Sequence, residues 1–182
     1  METGTLEKGK RVIFEDEMKI GLLPRMFREW SVPGMRHEVE ASCALEGKKS
    51  LFGSVDISTG ELTLLLKDRC RTIEFIDHCQ QLLNKYPNDL IYLICDNSII
   101  HCSKMFNEYI KNQERLEIVY LPTYAFYLNV IELLWLFVRK AVCYNKQFRK
   151  LKWLAEEVIN FLNNLSPERV LKAVGINLGK TS

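Results

Sequence analysis

The chain reads as an α/β protein: a mixed sheet with helices on both faces and further helices at its C-terminal end. Three observations predict this. Strand-like runs come first, around Arg11–Phe14, Ser50–Ile57 and Glu61–Leu66. Helical and strand-like patterns then alternate from Thr72 to Leu121. The last third shows only helical periodicity. Strands followed by alternating elements and then helices fit a sheet that must be covered on both sides.

Taken in order, Arg11 to Phe14 is a short apolar strand that ends in acids, and Gly21 to Gly34, with Pro24, Trp30 and Pro33, suggests a hairpin or irregular excursion. Ser50–Ile57 and Glu61–Leu66 are strands joined by a Ser58-Thr59-Gly60 turn. Thr72 can cap a helix to about Tyr86, with Ile73, Ile76, Cys79, Leu83 and Tyr86 at helical spacing, stopped by Pro87-Asn88. Leu90–Cys95 is a continuous apolar run, as a strand buried on both faces requires. Ser103 to about Lys111 reads as a helix and Leu116–Leu121 as a strand closed by Pro122. Asn129 can cap a helix to about Tyr144, whose core stripe is Leu134, Phe137, Val138, Ala141 and Val142. On an ideal helix Glu132 lies about 160° from Leu134, outside that stripe, and Arg139 shares its side about 10 Å along the axis. Leu151–Leu165 is amphipathic, Ser166-Pro167 starts a short helix, and Asn177–Ser182 is a tail. The expected organisation is one domain over residues 1–182, of which 166–182 are the short helix and tail.

The totals exclude little by themselves. Net charge is +2, yet between Asn129 and Lys152 the bases Arg139, Lys140, Lys146, Arg149, Lys150 and Lys152 face the single acid Glu132. A basic stretch beside carboxylates suits a polyanionic partner; the competing reading is a solvated helix face. The six cysteines form no CxxC pair, and no apolar stretch approaches membrane-spanning length. A reducing, intracellular compartment is expected.

Three acids stand out by context: Asp16 in Phe-Glu-Asp-Glu, Asp96 after the apolar run and before Asn97, and Glu132 in Leu-Asn-Val-Ile-Glu. Converging carboxylates hold hard divalent ions, and magnesium needs only a few of them besides substrate phosphates. Two such ions about 3.5–4 Å apart serve phosphodiester chemistry. Blander readings compete. Asn129-x-x-Glu132 also fits a capping box. Asp16 and Glu17 are neighbours on a strand, so only one can join the cluster. His101, Cys95 and Cys102 lack the second spaced pair that zinc would need. Trp30, Trp135 and Trp153 read as core or interface anchors before they read as base-stacking platforms.

These motifs resemble the catalytic domain of DDE transposases in the insertion-sequence branch of the mariner superfamily. The resemblance is carried by Phe14, Asp16, Glu17, Pro24, Trp30 and Gly34, then Asp96, Asn97, Ile100 and His101, then Leu121, Pro122, Tyr124, Leu128, Asn129, Ile131, Glu132 and Trp135. The spacing 132 − 96 = 36 suits the family. The resemblance implies a ribonuclease-H-like fold and metal-dependent cleavage and transfer of DNA strands at transposon ends. It implies Asp16, Asp96 and Glu132 as ligands of two Mg²⁺ or Mn²⁺ ions. It implies supporting or DNA-contacting roles for Asn97, His101, Asn129, Arg139 and Lys140. The partners implied are transposon-end and target DNA, a second copy in a homodimer and a separate DNA-recognition module, with no membrane. The implied location is a prokaryotic cytoplasm, with the nucleoid.

Two departures matter. Family members usually write Tyr-Ser-Pro-Asp-Leu-Asn-Pro before the third acid, whereas this chain has Tyr124-Ala125-Phe126-Tyr127-Leu128-Asn129-Val130. Loss of prolines leaves the loop less preorganised, so either the aromatics repack it or activity has decayed. The helix-turn-helix modules that family members carry before this domain are also expected to be absent. The alternative reading is therefore a catalytically decayed or co-opted DNA-binding or assembly module.

Overall fold

The structure is a computed structural model that describes residues 9–22, 47–123, 125–144, 146 and 148–176. Five strands form one sheet: β1 (Lys10–Gly21), β2 (Lys48–Asp56), β3 (Leu62–Lys67), β4 (Leu90–Cys95) and β5 (Leu116–Tyr120), in the order β3-β2-β1-β4-β5. β1, β2 and β3 are antiparallel neighbours, while β4 and β5 run parallel to β1. The mixed sheet expected from the sequence is present.

Helices cover both faces, as expected. On one side α1 (Thr72–Lys85) and α2 (Lys104–Ile110) bury Phe75, Leu82 and Phe106 against Ile13, Phe52, Ile91 and Leu93. On the other, α3 (Ile131–Val138), α4 (Leu151–Asn163) and α5 (Pro167–Ala173) bury Leu134, Trp135, Val138, Leu154 and Val158 against Met18, Ile20, Leu51 and Val55. Arg11 clamps the sheet's near end. It pairs with Asp56 at the end of β2 and with Asp89 before β4, and its guanidinium lies over the Tyr86 ring.

Several local expectations need correction. β1 does not end at its acids; it runs on through Glu15, Asp16 and Glu17 to Gly21, because β2 continues to pair with it as far as Lys48. Its pairing with β4 stops at Phe14 opposite Ile94, so the acids lie where β1 loses one neighbour. β4 is fully buried on one face only, since Leu90, Tyr92 and Ile94 are half-buried on the side that α3 and α4 leave partly uncovered. The inward stripe of α1 is Phe75, His78, Cys79, Leu82 and Leu83, and Ile73 is 50% exposed. Thr72 is the first helical residue rather than the cap, which is Arg71; the Thr72 hydroxyl instead donates to the Ile100 carbonyl. Ser166 caps α5 as expected, with Pro167 at the first position, and Ser103 caps α2. Pro24, Trp30, Pro33, Gly34, Tyr124 and the tail Asn177–Ser182, on which further expectations rest, lie outside the described residues.

Candidate metal centre

Strand alternation sorts the three consecutive acids of β1. Asp16 turns toward α3, where its Oδ2 accepts the Trp135 indole N–H at 3.0 Å. Glu15 and Glu17 turn to the α1–α2 side, where both meet His101. The carboxyl of Asp16 is pushed up to about 8, first by burial, then by repulsion from Glu132 and Glu17 and, more weakly, from Asp96. Glu132 and Asp96 are therefore close enough for their charges to be felt at Asp16.

Asp96 follows the last residue of β4. The paired register ends at Phe14 opposite Ile94, two residues before Asp16 on one strand and two before Asp96 on the other. The fully buried ring of His101 organises this corner. Its Nδ1 lies 2.9 Å from Asp96 Oδ1, and its Nε2 lies 3.0 Å from Glu17 Oε1 and 3.4 Å from Glu15 Oε2. Burial alone would strip the imidazolium of its proton, but the hydrogen bonds to Asp96 and Glu17 and the Glu15 charge raise its pKa well above the ordinary value. The His101 bond in turn holds the Asp96 carboxyl low. Glu15, with no exposure, is driven well up by burial and by Glu17. The ligand atoms of Glu15, Glu17 and His101 all lie within 4.8 Å of one another, a spacing a cation could bridge. The raised pKa of His101 favours a proton at that place.

Glu132 stands in the first turn of α3, half-buried. The helix is not capped by Asn129: its cap is Val130, and no side chain bonds there. The Asn129 side chain, 3% exposed, instead donates from Nδ2 to the Glu15 carbonyl of β1 at 2.8 Å. The start of the helix that bears Glu132 is thus tied to the strand that bears Asp16. The altered loop is a 3-10 turn over Phe126–Leu128, closed by Leu128 N–H to Ala125 O, with Ala125 buried. Tyr127 is 73% exposed, so it does not pack inward; buried Ala125 and the Asn129 bond hold this segment.

Asn97 Nδ2 donates to the Leu121 carbonyl at 2.5 Å, joining the end of β4 to the end of β5. Arg139, half-buried, opens a five-residue π turn, Arg139–Cys143, that continues α3, and exposed Lys140 follows it. Single π turns inside helices are frequent at functional sites. The straight-helix phase that related Glu132 to Arg139 holds only to Val138.

Carboxylate oxygens such as those of Asp16, Asp96 and Glu132 are the donor type that hard divalent cations take, and the charges of Glu132 and Asp96 both raise the Asp16 pKa. Sequence reasoning named Asp16, Asp96, Glu132 and His101 but missed the roles of Glu15, Glu17 and the Trp135 N–H. The alternation of Glu15, Asp16 and Glu17 could have put two acids opposite the third; no signal pointed to their common partner.

Residues 11–155 match the model of a family described as DDE superfamily endonuclease. An uncharacterized 39 kDa protein of insertion element IS630 from Shigella sonnei is 28% identical over 157 residues, 86% of this chain and 46% of that protein. Among solved structures, the mariner Mos1 paired end complex with Mg superposes with a TM-score of 0.70 at 15% identity, covering 91% of this chain and 51% of that one. The Mos1 transposase paired-end complex with left transposon end gives 0.67 at 16%, covering 91% and 51%. These likenesses establish a ribonuclease-H-like fold, and the chain spans about half the length of the proteins it matches.

Proposed function

The chain belongs to the DDE superfamily of endonucleases, and from that premise we propose that it is a transposase catalytic domain that cleaves DNA at transposon ends and joins the freed strand to target DNA. The observation that carries this reading is that Asp16 lies within β1, Asp96 directly follows β4 beside it, and Glu132 opens the helix whose start Asn129 ties to β1. Asp16, Asp96 and Glu132 would hold two Mg²⁺ or Mn²⁺ ions. When bound, such ions supply Lewis-acid activation of the attacking oxygen and stabilisation of the leaving one. The magnesium and the transposon end named for the two Mos1 complexes support metal and DNA as the partners here.

The chain's own residues orient the ligands. His101 and Asn97 fix Asp96 at the end of β4, and Asn129 fixes the start of the Glu132 helix. Arg139 and Lys140, on the continuation of that helix, would meet substrate phosphates. The reaction has two displacements at phosphorus. Water first breaks the phosphodiester and leaves a 3′-hydroxyl. That hydroxyl then attacks a target phosphodiester, forming one P–O bond and releasing another 3′-oxygen. Residues 1–182 act as one catalytic domain. It works as a homodimer on paired ends, with end recognition supplied by a separate module, in a prokaryotic cytoplasm beside the nucleoid. Among the described residues no helix is long and apolar enough to cross a membrane.

A decayed, non-catalytic module is disfavoured because the altered loop still delivers Asn129 to β1. Nicking of supercoiled DNA in Mn²⁺ tests the proposal. The parent chain is expected to nick, and Asp96→Asn and Glu132→Gln to slow nicking at least about 10²-fold. Equal nicking by parent and variants overturns the assignment; no nicking by the parent favours the non-catalytic module.

A further inference from the structure

We infer that Trp135 and Gly53 form a positioning device for Asp16, with the indole N–H as the donor that fixes its carboxylate and Gly53 as the slot that admits the ring. The inference rests on the reading of Asp16 as a metal ligand. Trp135 is fully buried and lies one helical turn after Glu132 on α3. Residues three apart share a helix face. α3 therefore presents Glu132 as a carboxylate and Trp135 as a clamp to the same strand. The indole nitrogen is a donor only, and it spends that donor on Asp16 Oδ2.

The slot is as specific as the bond. Gly53 of β2 stands directly opposite Asp16 in the antiparallel register. Opposed residues point their side chains to one face, about 4.5–5.5 Å apart at Cβ. Any side chain at position 53 would therefore crowd Asp16 on the α3 face. A Cβ built there would fall 2.3 Å from Trp135 Cη2 and 2.6 Å from Cζ2, with Leu64 Cδ2 at 3.5 Å. Cζ2 lies on the edge of the ring next to the N–H. Filling the slot would thus displace the donor itself, and a residue on β2 would control a carboxylate on β1 through a ring on α3.

Asp16 and Asp96 are then held from opposite faces by different chemistry. His101 organises Asp96 together with Glu15 and Glu17, and Trp135 holds Asp16 from the α3 side. Partners of this kind, one step removed from the ion, change metal affinity by about 10–100-fold when removed.

The test is calorimetric titration of Mn²⁺, in the presence of a DNA duplex, on the full chain and four variants, each also melted by circular dichroism. Asp16→Asn reports whether Asp16 is a ligand. Trp135→Phe removes the N–H and part of the ring. Benzothienylalanine at position 135 keeps the ring's shape and removes only the N–H. Gly53→Ala fills the slot. Benzothienylalanine is expected to weaken Mn²⁺ about 10-fold or more while the melting temperature stays close to the parent's, which a purely packing role would not produce. Trp135→Phe and Gly53→Ala should weaken it in the same direction. Unchanged affinity with benzothienylalanine, beside loss in Asp16→Asn, overturns the inference and leaves the proposed function standing. Unchanged affinity in Asp16→Asn, or no binding by the parent, overturns both.

Discussion

Replacing Asn129 tests how the third carboxylate is aimed. Beyond Phe14, β1 has no β4 partner, and the Asn129 amide supplies a donor to the Glu15 carbonyl at 2.8 Å. Asn129→Ala removes that donor from a buried site, which costs about 1–3 kcal/mol when the acceptor is left alone. The same change also deletes the buried Asn129 Oδ1, which has no hydrogen-bond partner. The two effects oppose each other, so the net cost should fall at the low end, about 1 kcal/mol. Asn129→Asp has nearly the same shape but sets carboxylate oxygens against the Glu15 carbonyl, beside acids already in mutual repulsion. Its cost should reach about 3 kcal/mol, because a charged group is left unpaired. For a domain of this size those figures correspond to melting shifts of about 3 °C and about 9 °C. Both variants let the start of α3 move relative to β1, and a displacement of about 1 Å can cost about 10²-fold in rate. Thermal melts and Mn²⁺-dependent nicking read the two effects separately. If Asn129→Asp melts like Asn129→Ala, the donor argument is wrong. If Asn129→Ala nicks like the parent, Asn129 does not aim Glu132.

Two further predictions concern the frame. Burial lowers the His78 pKa from an ordinary 6.5 to about 3, so the fold keeps this residue neutral. Below pH 6.5 the unfolded chain takes up the proton and the fold does not; stability is intact above that pH and falls by about 1.4 kcal/mol per unit until about pH 3. In urea titrations the stability advantage of the parent over His78→Gln should shrink by about 2 kcal/mol between pH 7.5 and 5; an advantage that stays flat counts against a neutral His78. Gly60, in the turn between β2 and β3, has φ +76°, and a Cβ there would lie 2.3 Å from the Pro167 carbonyl oxygen. Gly60→Ala must adopt a left-handed conformation and push α5 away, so a loss of about 2 kcal/mol or more is expected. A melting temperature equal to the parent's would refute that contact.

The fold was legible where pattern alone decides. α4 buries Leu151, Leu154, Ala155, Val158 and Leu162 as its spacing required, and Ser166-Pro167 started α5 as capping chemistry required. Errors arose where a tertiary neighbour overrode a local signal. Three consecutive acids looked like the end of a strand, yet β2 pairs straight past them. Asn129 before a helix looked like a cap, yet its Oδ1 accepts no helix N–H and its Nδ2 instead donates to the Glu15 carbonyl of β1. Thr72 looked like a cap, yet its hydroxyl reaches Ile100. The three acids of the proposed site could be named from sequence because each sits in a recognisable string. Their supports could not: the Trp135–Asp16 bond spans 119 positions and the His101–Glu17 bond 84.

The arrangement also bears on which face of β1 the proposed cation would occupy. Alternation sends Glu15 and Glu17 to the side where His101 meets both of them, and its raised pKa favours the imidazolium as their counter-ion. Asp16 goes to the opposite face, where burial and the charges of Glu132, Glu17 and Asp96 all work against ionisation. The Trp135 N–H is a neutral donor. It can orient the Asp16 carboxylate but cannot neutralise the group around it. A protein can answer such a deficit by protonating an acid or by binding a metal, and carboxylate oxygens with room for water and phosphate are the donors that magnesium and manganese take. The opposite face, where His101 already bonds Asp96 and Glu17 and meets Glu15, would have less to gain from a metal. The electrostatic asymmetry across a single strand thus supports the assignment of Asp16, rather than either neighbour, to the reacting side.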